Sequence, residues 1–122
     1  MTRERLDLGK TGEDLALREI ERLGYRFIVR NYRCALGEVD LIAADGDTLV
    51  FIEIKTRRGK TLTYAKEAVT PRKKRQLSKV ALAYLKANRC LDAKARFDVV
   101  AINLSGGKSR VEVVKDAFEL AY

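Results

Sequence analysis

Apolar and polar positions follow a helical period in some segments and a strand-like pattern in others, and the local pattern predicts whether each segment is a helix or a strand. Between residues 10 and 23 the apolar positions recur at helical spacing, which predicts an amphipathic first helix. Thr11 and Asp14 resemble a capping box at its start, and Gly24 suits its end. A second helix is predicted to begin at Thr70 and Pro71, as N-cap and first helical residue. Its predicted buried stripe comprises Leu77, Val80, Ala81, Tyr84 and Leu85.

Five shorter segments have strand-like patterns, at residues 25–32, 39–44, 49–55, 97–104 and 111–114. The Asp45-Gly46 pair between the second and third segments is typical of a hairpin turn. The resulting order, αβββαββ, predicts an α/β protein with a mixed sheet, because hairpins are antiparallel while the long helix can connect parallel neighbours. At 122 residues, we expect one domain spanning residues 1–122.

Three acids and a lysine interrupt the apolar runs of the second and third strands, namely Glu38, Asp40, Glu53 and Lys55. A four-residue loop at 45–48 would place Asp40 opposite Glu53 and Glu38 opposite Lys55. A two-residue loop would place Glu38 opposite Glu53 and still keep all four on one face. A three-residue loop would scatter them, unless a bulge restored the phase.

Facing carboxylates repel each other, so this pattern needs a compensating cation. Lys55 can serve one acid, and converging carboxylate oxygens also suit a hard divalent cation such as magnesium. Glu13 shares the apolar stripe of the first helix and could bring a further acid toward the sheet. Each residue alone has a simpler interpretation: a half-exposed strand with alternating charges, a surface acid near a turn, or an acid favoured by the helix dipole. Their joint occurrence favours a metal site beside Lys55.

The net charge of +8, from 25 Lys and Arg against 17 Asp and Glu, favours polyanionic partners such as nucleic acid. Residues 55–79 contain ten basic residues and a single acid, Glu67. A solvent-exposed helix face is the simpler interpretation, but a basic rim around an acidic pocket would attract a phosphate backbone. The candidate nucleic-acid-binding residues are Arg57, Arg58, Lys60, Arg72, Lys73, Lys74, Arg75 and Lys79.

Several classes of site lack support in the sequence. The chain has no histidine, which removes Ser-His-Asp triads and H-E-x-x-H zinc sites. Cys34 and Cys90 are far apart, which argues against a disulfide framework or a thiolate zinc site. Residues 107–109 resemble the end of a P-loop, but a strand follows, so we predict a hairpin turn there. No segment has the apolar length of a membrane span or signal peptide, so we expect a cytoplasmic protein without a membrane partner.

Several motifs together resemble the YraN-type family of small bacterial proteins, which is largely of unknown function. They are GEVDLIA, FIEIKTR, AVTPRKKRQL and RFDVV, and the resemblance extends from Gly12 to Phe118. That family has been grouped with the restriction-endonuclease-like PD-(D/E)xK superfamily, close to archaeal Holliday junction resolvases. The resemblance implies a restriction-endonuclease-like αβββαβ core with a mixed central sheet flanked by helices.

The resemblance also implies roles for individual residues. Asp40 and Glu53 would bind the metal, Lys55 would be the catalytic lysine, and Glu13 would be the acid on the first helix. Val39 stands where the superfamily often has proline, which leaves the role of Glu38, a candidate metal ligand, open.

The expected function is that of a magnesium- or manganese-dependent endonuclease that hydrolyses phosphodiester bonds, with branched or structured DNA as substrate. The alternative is a non-catalytic nucleic-acid-binding protein that keeps the nuclease fold. A third hypothesis is a scaffold whose basic face binds an acidic protein. A homodimer is a further expectation, by analogy with related resolvases.

Overall fold

The computed structural model describes residues 3–58 and 69–121, which form two helices and a five-stranded sheet. In chain order the elements are α1 (Arg3–Arg22), β1 (Arg26–Cys34), β2 (Gly37–Asp45), β3 (Thr48–Arg58), α2 (Pro71–Ala87), β4 (Lys94–Ser105) and β5 (Lys108–Phe118). The predicted order αβββαββ is therefore confirmed, and it contains the αβββαβ core that the resemblance implied.

The sheet follows the chain, with strand order β1-β2-β3-β4-β5. β3 and β4 are parallel, because the segment between them includes α2 and returns the chain to the opposite end of the sheet. The other neighbouring strands are antiparallel. The α/β class and the mixed sheet agree with the prediction.

The two helices differ in how well their starts were predicted. α1 begins at Arg3, so the capping box predicted at Thr11 and Asp14 is wrong. The upstream residues are mostly good helix formers, which extends the helix beyond its amphipathic segment. In α2 the prediction is confirmed: the Thr70 hydroxyl accepts a hydrogen bond of 3.2 Å from the backbone nitrogen of Lys73.

Each helix covers one face of the sheet. Ala16 and Ile20 of α1 pack in a cluster with Leu41 of β2 and Ile52 of β3. α2 covers the other face, where its predicted stripe is buried against a second cluster that includes Val39, Ile42, Phe51, Phe97 and Val99. The sheet therefore has an α1 side and an α2 side, and every candidate residue can be assigned by the helix it contacts.

Asp98 of β4 is a fully buried acid on the α1 side of the sheet. Its hydrogen bonds join β4 to β5 and to the segment that follows α1. Its carboxylate accepts hydrogen bonds from the Tyr25 hydroxyl at 2.7 Å and from Arg96 Nε at 3.0 Å. It also accepts one at 2.9 Å from the backbone nitrogen of Asp116, where β5 has a positive φ of 52°. These contacts fix the end of α1 and the irregular pairing of β4 with β5. The sequence pattern predicted the strand but did not identify this acid as buried.

Candidate functional site

The candidate metal site lies where the pairing of β2 with β3 ends. The hairpin has the register predicted for a four-residue loop, and its regular pairs continue as far as Leu41 opposite Ile52. Just beyond them, Asp40 Oδ2 accepts a hydrogen bond of 2.7 Å from the backbone nitrogen of Ile54. The carboxylate of Asp40 therefore bridges to β3 at the point where the strand ladder stops.

The side-chain alternation of β2 shifts at Asp40. Leu41 belongs to the α1-side cluster, whereas Val39 and Ile42 both belong to the α2-side cluster, which strict alternation would not allow. Asn31, which stands beside Asp40 in β1, has a positive φ of 56° and makes no regular pair across the two strands. This irregularity turns the Asp40 carboxylate toward β3.

Glu53 is the central acid of the site, with a relative exposure of 6%. Burial raises the pKa of its carboxyl group to about 7, and the nearby Asp40 carboxylate adds to this effect. The charges of Lys73 and Lys55 act in the opposite direction. Among the described residues, Glu53 Oε2 has no hydrogen-bond partner, although the Lys73 ammonium lies 3.7 Å away. Among the described residues, this buried carboxylate oxygen thus has an electrostatic partner but no hydrogen bond.

Lys55 lies two residues after Glu53 on the same side of β3, and its charge acts on Glu53. Asp40, Glu53 and Lys55 thus lie near enough for the charges of Asp40 and Lys55 to act on Glu53, while their roles as metal ligands and catalytic lysine stay predictions. This arrangement places two carboxylates and two ammonium groups, Lys55 and Lys73, at one end of the β2–β3 ladder.

Two other acids predicted for the site, Glu38 and Glu13, pair with arginines outside it. The side chain of Glu38 is 53% exposed and forms an ion pair of 3.0 Å with Arg33 of β1. Glu13 accepts a hydrogen bond of 2.9 Å from Arg30 and belongs to α1, on the other side of the sheet from Lys73. Within residues 3–58 and 69–121, no three acidic or cysteine side chains converge on a point that could hold a metal ion. The structure therefore does not bring Glu38 or Glu13 to the Asp40–Glu53 pair.

A basic cleft of about 510 Å³ lies next to this site on the α2 side. It separates the β1–β2 turn from the first half of α2, whose first turn contains no acid. Among the described residues, its lining combines four predicted basic residues with three others, none of them acidic: Arg72, Lys73, Arg75, Lys79, Leu36, Thr70 and Gln76. Lys73 contributes to both the cleft and the acidic site, so the two are continuous.

The remaining basic residues predicted to bind nucleic acid do not lie on one surface. Lys74 does not line the cleft, since its ammonium lies 5.7 Å from the centroid of the Phe118 ring. Arg57 is exposed near the end of β3, while Arg58 lines a second groove with residues of α1. Lys60 lies outside the described residues. The single basic cluster predicted from the sequence is therefore distributed over both sides of the sheet.

The contact between Lys73 and Glu53 is the feature that the sequence reasoning missed. Lys73 was predicted as one of several nucleic-acid-binding residues, without a role beside the acids. Its position four residues before Leu77 places it on the buried stripe of α2, and that spacing could have indicated that it points toward the sheet.

The fold and the site together define an α/β protein with an αβββαβ core and an acid pair beside two lysines. Residues 12–102 match the model of the Uncharacterised protein family UPF0102, and the chain belongs to that family. This match confirms the resemblance to the YraN-type family. No helix among the described residues is long and apolar enough to cross a membrane.

Three relatives illustrate how far the similarity extends. The chain is 56% identical to a UPF0102 protein of Geobacter sulfurreducens, over 94% of this chain and 91% of the relative. It is 48% identical to that of Syntrophus aciditrophicus, over 98% and 94% of the two chains. It is 47% identical to that of Rhodococcus opacus, over 93% and 97%. The similarity covers nearly the whole of each chain.

Proposed function

We propose that this protein is a metal-dependent nuclease that hydrolyses phosphodiester bonds of DNA. The observation that carries the proposal is the joint position of Asp40, Glu53 and Lys55 at the end of the β2–β3 ladder, next to a basic cleft with no acid among its described lining residues. Carboxylates that bind a cation and an ammonium group that stabilises negative charge are the groups that phosphodiester hydrolysis requires.

The donor atoms fit a magnesium or manganese ion. Glu53 Oε2 is buried without a hydrogen bond among the described residues, and only one oxygen of Asp40 is used by Ile54. Magnesium commonly binds through one or two carboxylates, with water and substrate oxygens completing its shell. Asp40 and Glu53 would hold the ion, and neither Glu38 nor Glu13 is needed for it.

Each protein group has a defined task in this proposal. A divalent cation held by Asp40 and Glu53 would lower the pKa of a water molecule and offset charge on the scissile phosphate. Lys55 would orient the attacking water and stabilise the negative charge that develops on the phosphate oxygens. Lys73 would favour the ionised form of Glu53, because its ammonium offsets part of the effect of burial on that carboxylate.

The basic cleft would bind the DNA backbone. Its lining cations Arg72, Lys73, Arg75 and Lys79 would attract the DNA backbone and neutralise its phosphates. These contacts read charge and not base identity, so the proposed enzyme would recognise the shape of its substrate, such as a branch or flap, more than its sequence.

The test is incubation of the purified protein with linear, flapped and four-way-junction DNA in magnesium, manganese or calcium. Asp40→Asn and Glu53→Gln should each abolish metal-dependent cleavage, and Lys55→Ala should lower the rate by about a hundredfold or more. Asp47→Asn is the matched control, because this acid is exposed in the β2–β3 turn and pairs with Lys94. Cleavage by Asp40→Asn at the rate of the parent protein would refute the proposal.

A second candidate function is nucleic-acid binding without catalysis. It is favoured by the Lys73 ammonium, which lies 3.7 Å from Glu53 and could neutralise that acid without a metal ion. This candidate predicts salt-sensitive binding in EDTA that persists in Asp40→Asn, and no cleavage under any metal condition. Cleavage that is lost in Glu53→Gln but retained in Asp47→Asn would exclude it.

A further inference from the structure

A second groove, of about 560 Å³, lies on the α1 side of the sheet. It runs between α1 and the turn that joins β4 to β5. Among the described residues, its lining contains two cations and three hydroxyl groups but no acid: Arg58, Lys108, Thr11, Ser105, Ser109, Leu15, Leu104, Gly106 and Gly107. Guanidinium, ammonium and hydroxyl groups are the side chains that most often contact phosphate oxygens.

The local backbone explains why Arg58 and Lys108 line the same groove. Gly106 and Gly107 have φ values of 56° and 75°, which a tight two-residue hairpin turn requires. Lys108 follows directly, and its pairing with Ser105 closes the turn. Arg58 stands opposite Leu104 in the parallel register of β3 and β4, one residue before that closing pair. The parallel pairing thus brings the last residue of β3 to the hairpin.

This groove and the basic cleft are related through β3. Lys55 and Arg58 are three residues apart, which corresponds to roughly 10 Å along a strand. Because side chains alternate along a strand, Lys55 lies on the α2 side of the sheet with Glu53, whereas Arg58 lies on the α1 side. Two basic surfaces, with no acid among their described lining residues, therefore lie on opposite sides of the sheet, at the end of β3 that carries the candidate metal site.

We propose that the α1-side groove binds the phosphodiester backbone of a second nucleic-acid segment. This inference rests on the proposed function and names the part of a branched substrate that the groove would bind: one of the two segments that diverge from the cleavage point, as at a fork, flap or junction. The sheet separates the two surfaces, so one straight segment would not occupy both. Two diverging segments would each follow one of them.

The experiment compares a four-way junction with a linear duplex of equal arm length, by fluorescence anisotropy at several salt concentrations in calcium. The test variant is Arg58→Ala/Lys108→Ala. The control is Arg18→Ala/Lys86→Ala, which removes the same charge from exposed positions that line neither surface. Circular dichroism should show that both variants are folded.

The test variant should bind the junction about tenfold more weakly than the parent protein, and its slope of log affinity against log salt should fall by about two. Its duplex binding should match that of the control variant. An equal loss on both DNAs, or a junction loss no greater than that of the control, would overturn the inference.

The outcome is separable from that of the proposed nuclease activity. If the parent protein cleaves DNA but Arg58→Ala/Lys108→Ala shows no selective loss, the groove assignment fails and the nuclease proposal stands. If the selective loss is found while no DNA is cleaved in any metal, the groove assignment stands and the nuclease proposal fails. If the parent protein binds neither DNA, both are wrong.

Discussion

Replacing Glu53 by glutamine should stabilise the folded protein more at pH 8 than at pH 5. Burial and the Asp40 carboxylate raise the pKa of Glu53 from 4.5 to about 7, so the folded state binds this proton more tightly than the unfolded state does. The stabilisation from this proton is fully present below about pH 4.5, where both states are protonated. It is lost as the pH rises through about 7, where the folded state must carry the buried charge.

The magnitude follows from the size of the shift. A change of 2.5 units, the difference between about 7 and 4.5, corresponds to about 3 kcal/mol of unfolding free energy, most of it lost between pH 5 and pH 8. Glutamine has nearly the same shape and stays neutral, so Glu53→Gln avoids this loss. The free-energy difference between variant and parent should therefore shift in favour of the variant by roughly 2 to 3 kcal/mol over that range.

The assay is urea denaturation at both pH values, with EDTA present so that no divalent cation binds the carboxylates. Asp47→Asn is the control, because its exposed carboxylate should give nearly the same difference from the parent protein at pH 5 and pH 8. If Glu53→Gln also gives equal differences at the two pH values, the charge of Glu53 is not buried as the structure indicates, and the reasoning is refuted.

Four other outcomes are expected. Excess magnesium should stabilise the parent protein at pH 8 by an amount that grows with concentration, and Glu53→Gln should lose this effect in thermal denaturation. In Gly12→Ala the new Cβ would overlap the Thr56 side chain. This overlap should lower the free energy of unfolding by about 1 to 3 kcal/mol in urea denaturation, and adding Thr56→Ala should recover part of that loss. Asp98→Asn should lower the free energy of unfolding by about 3 to 5 kcal/mol in the same assay, because it weakens a buried ion pair with Arg96 and two further hydrogen bonds; a loss below 1 kcal/mol would contradict this. Thr70→Ala should lower the free energy of unfolding by about 1 kcal/mol, because it removes the N-cap hydrogen bond of α2. Thr70→Ser keeps a hydroxyl at this position and should not lower it.

Local patterns were sufficient to predict most of the fold. The Asp45-Gly46 signal predicted a hairpin between β2 and β3 but left its register open among three loop lengths, and the structure has the register of the four-residue alternative. The start of α2 at Thr70 and Pro71 and its buried stripe were also predicted correctly, since capping and helical period act within a few residues. The start of α1 was missed because helix propensity extended it past the apparent cap.

The site was predicted less completely, because its decisive contacts join distant parts of the chain. The pattern placed Glu38 beside Asp40 by alternation, but the irregularity at Asp40 interrupts that alternation, and Glu38 pairs with Arg33. Glu13 was expected to approach the acids, yet Arg30 holds it on the α1 side. A strand irregularity of this kind depends on packing from both neighbouring strands, which no local period reveals.

The order of elements, the mixed sheet and the presence of Asp40, Glu53 and Lys55 on adjoining strands were thus determined by the sequence itself, through periods and turns that act over short distances. The burial of Glu53, the approach of Lys73 and the division of the basic residues between two sides of the sheet were decided only by the tertiary structure. The physical reason is that burial and charge proximity depend on which elements cover a residue, and that covering is set by α1 and α2 packing on opposite faces of one sheet.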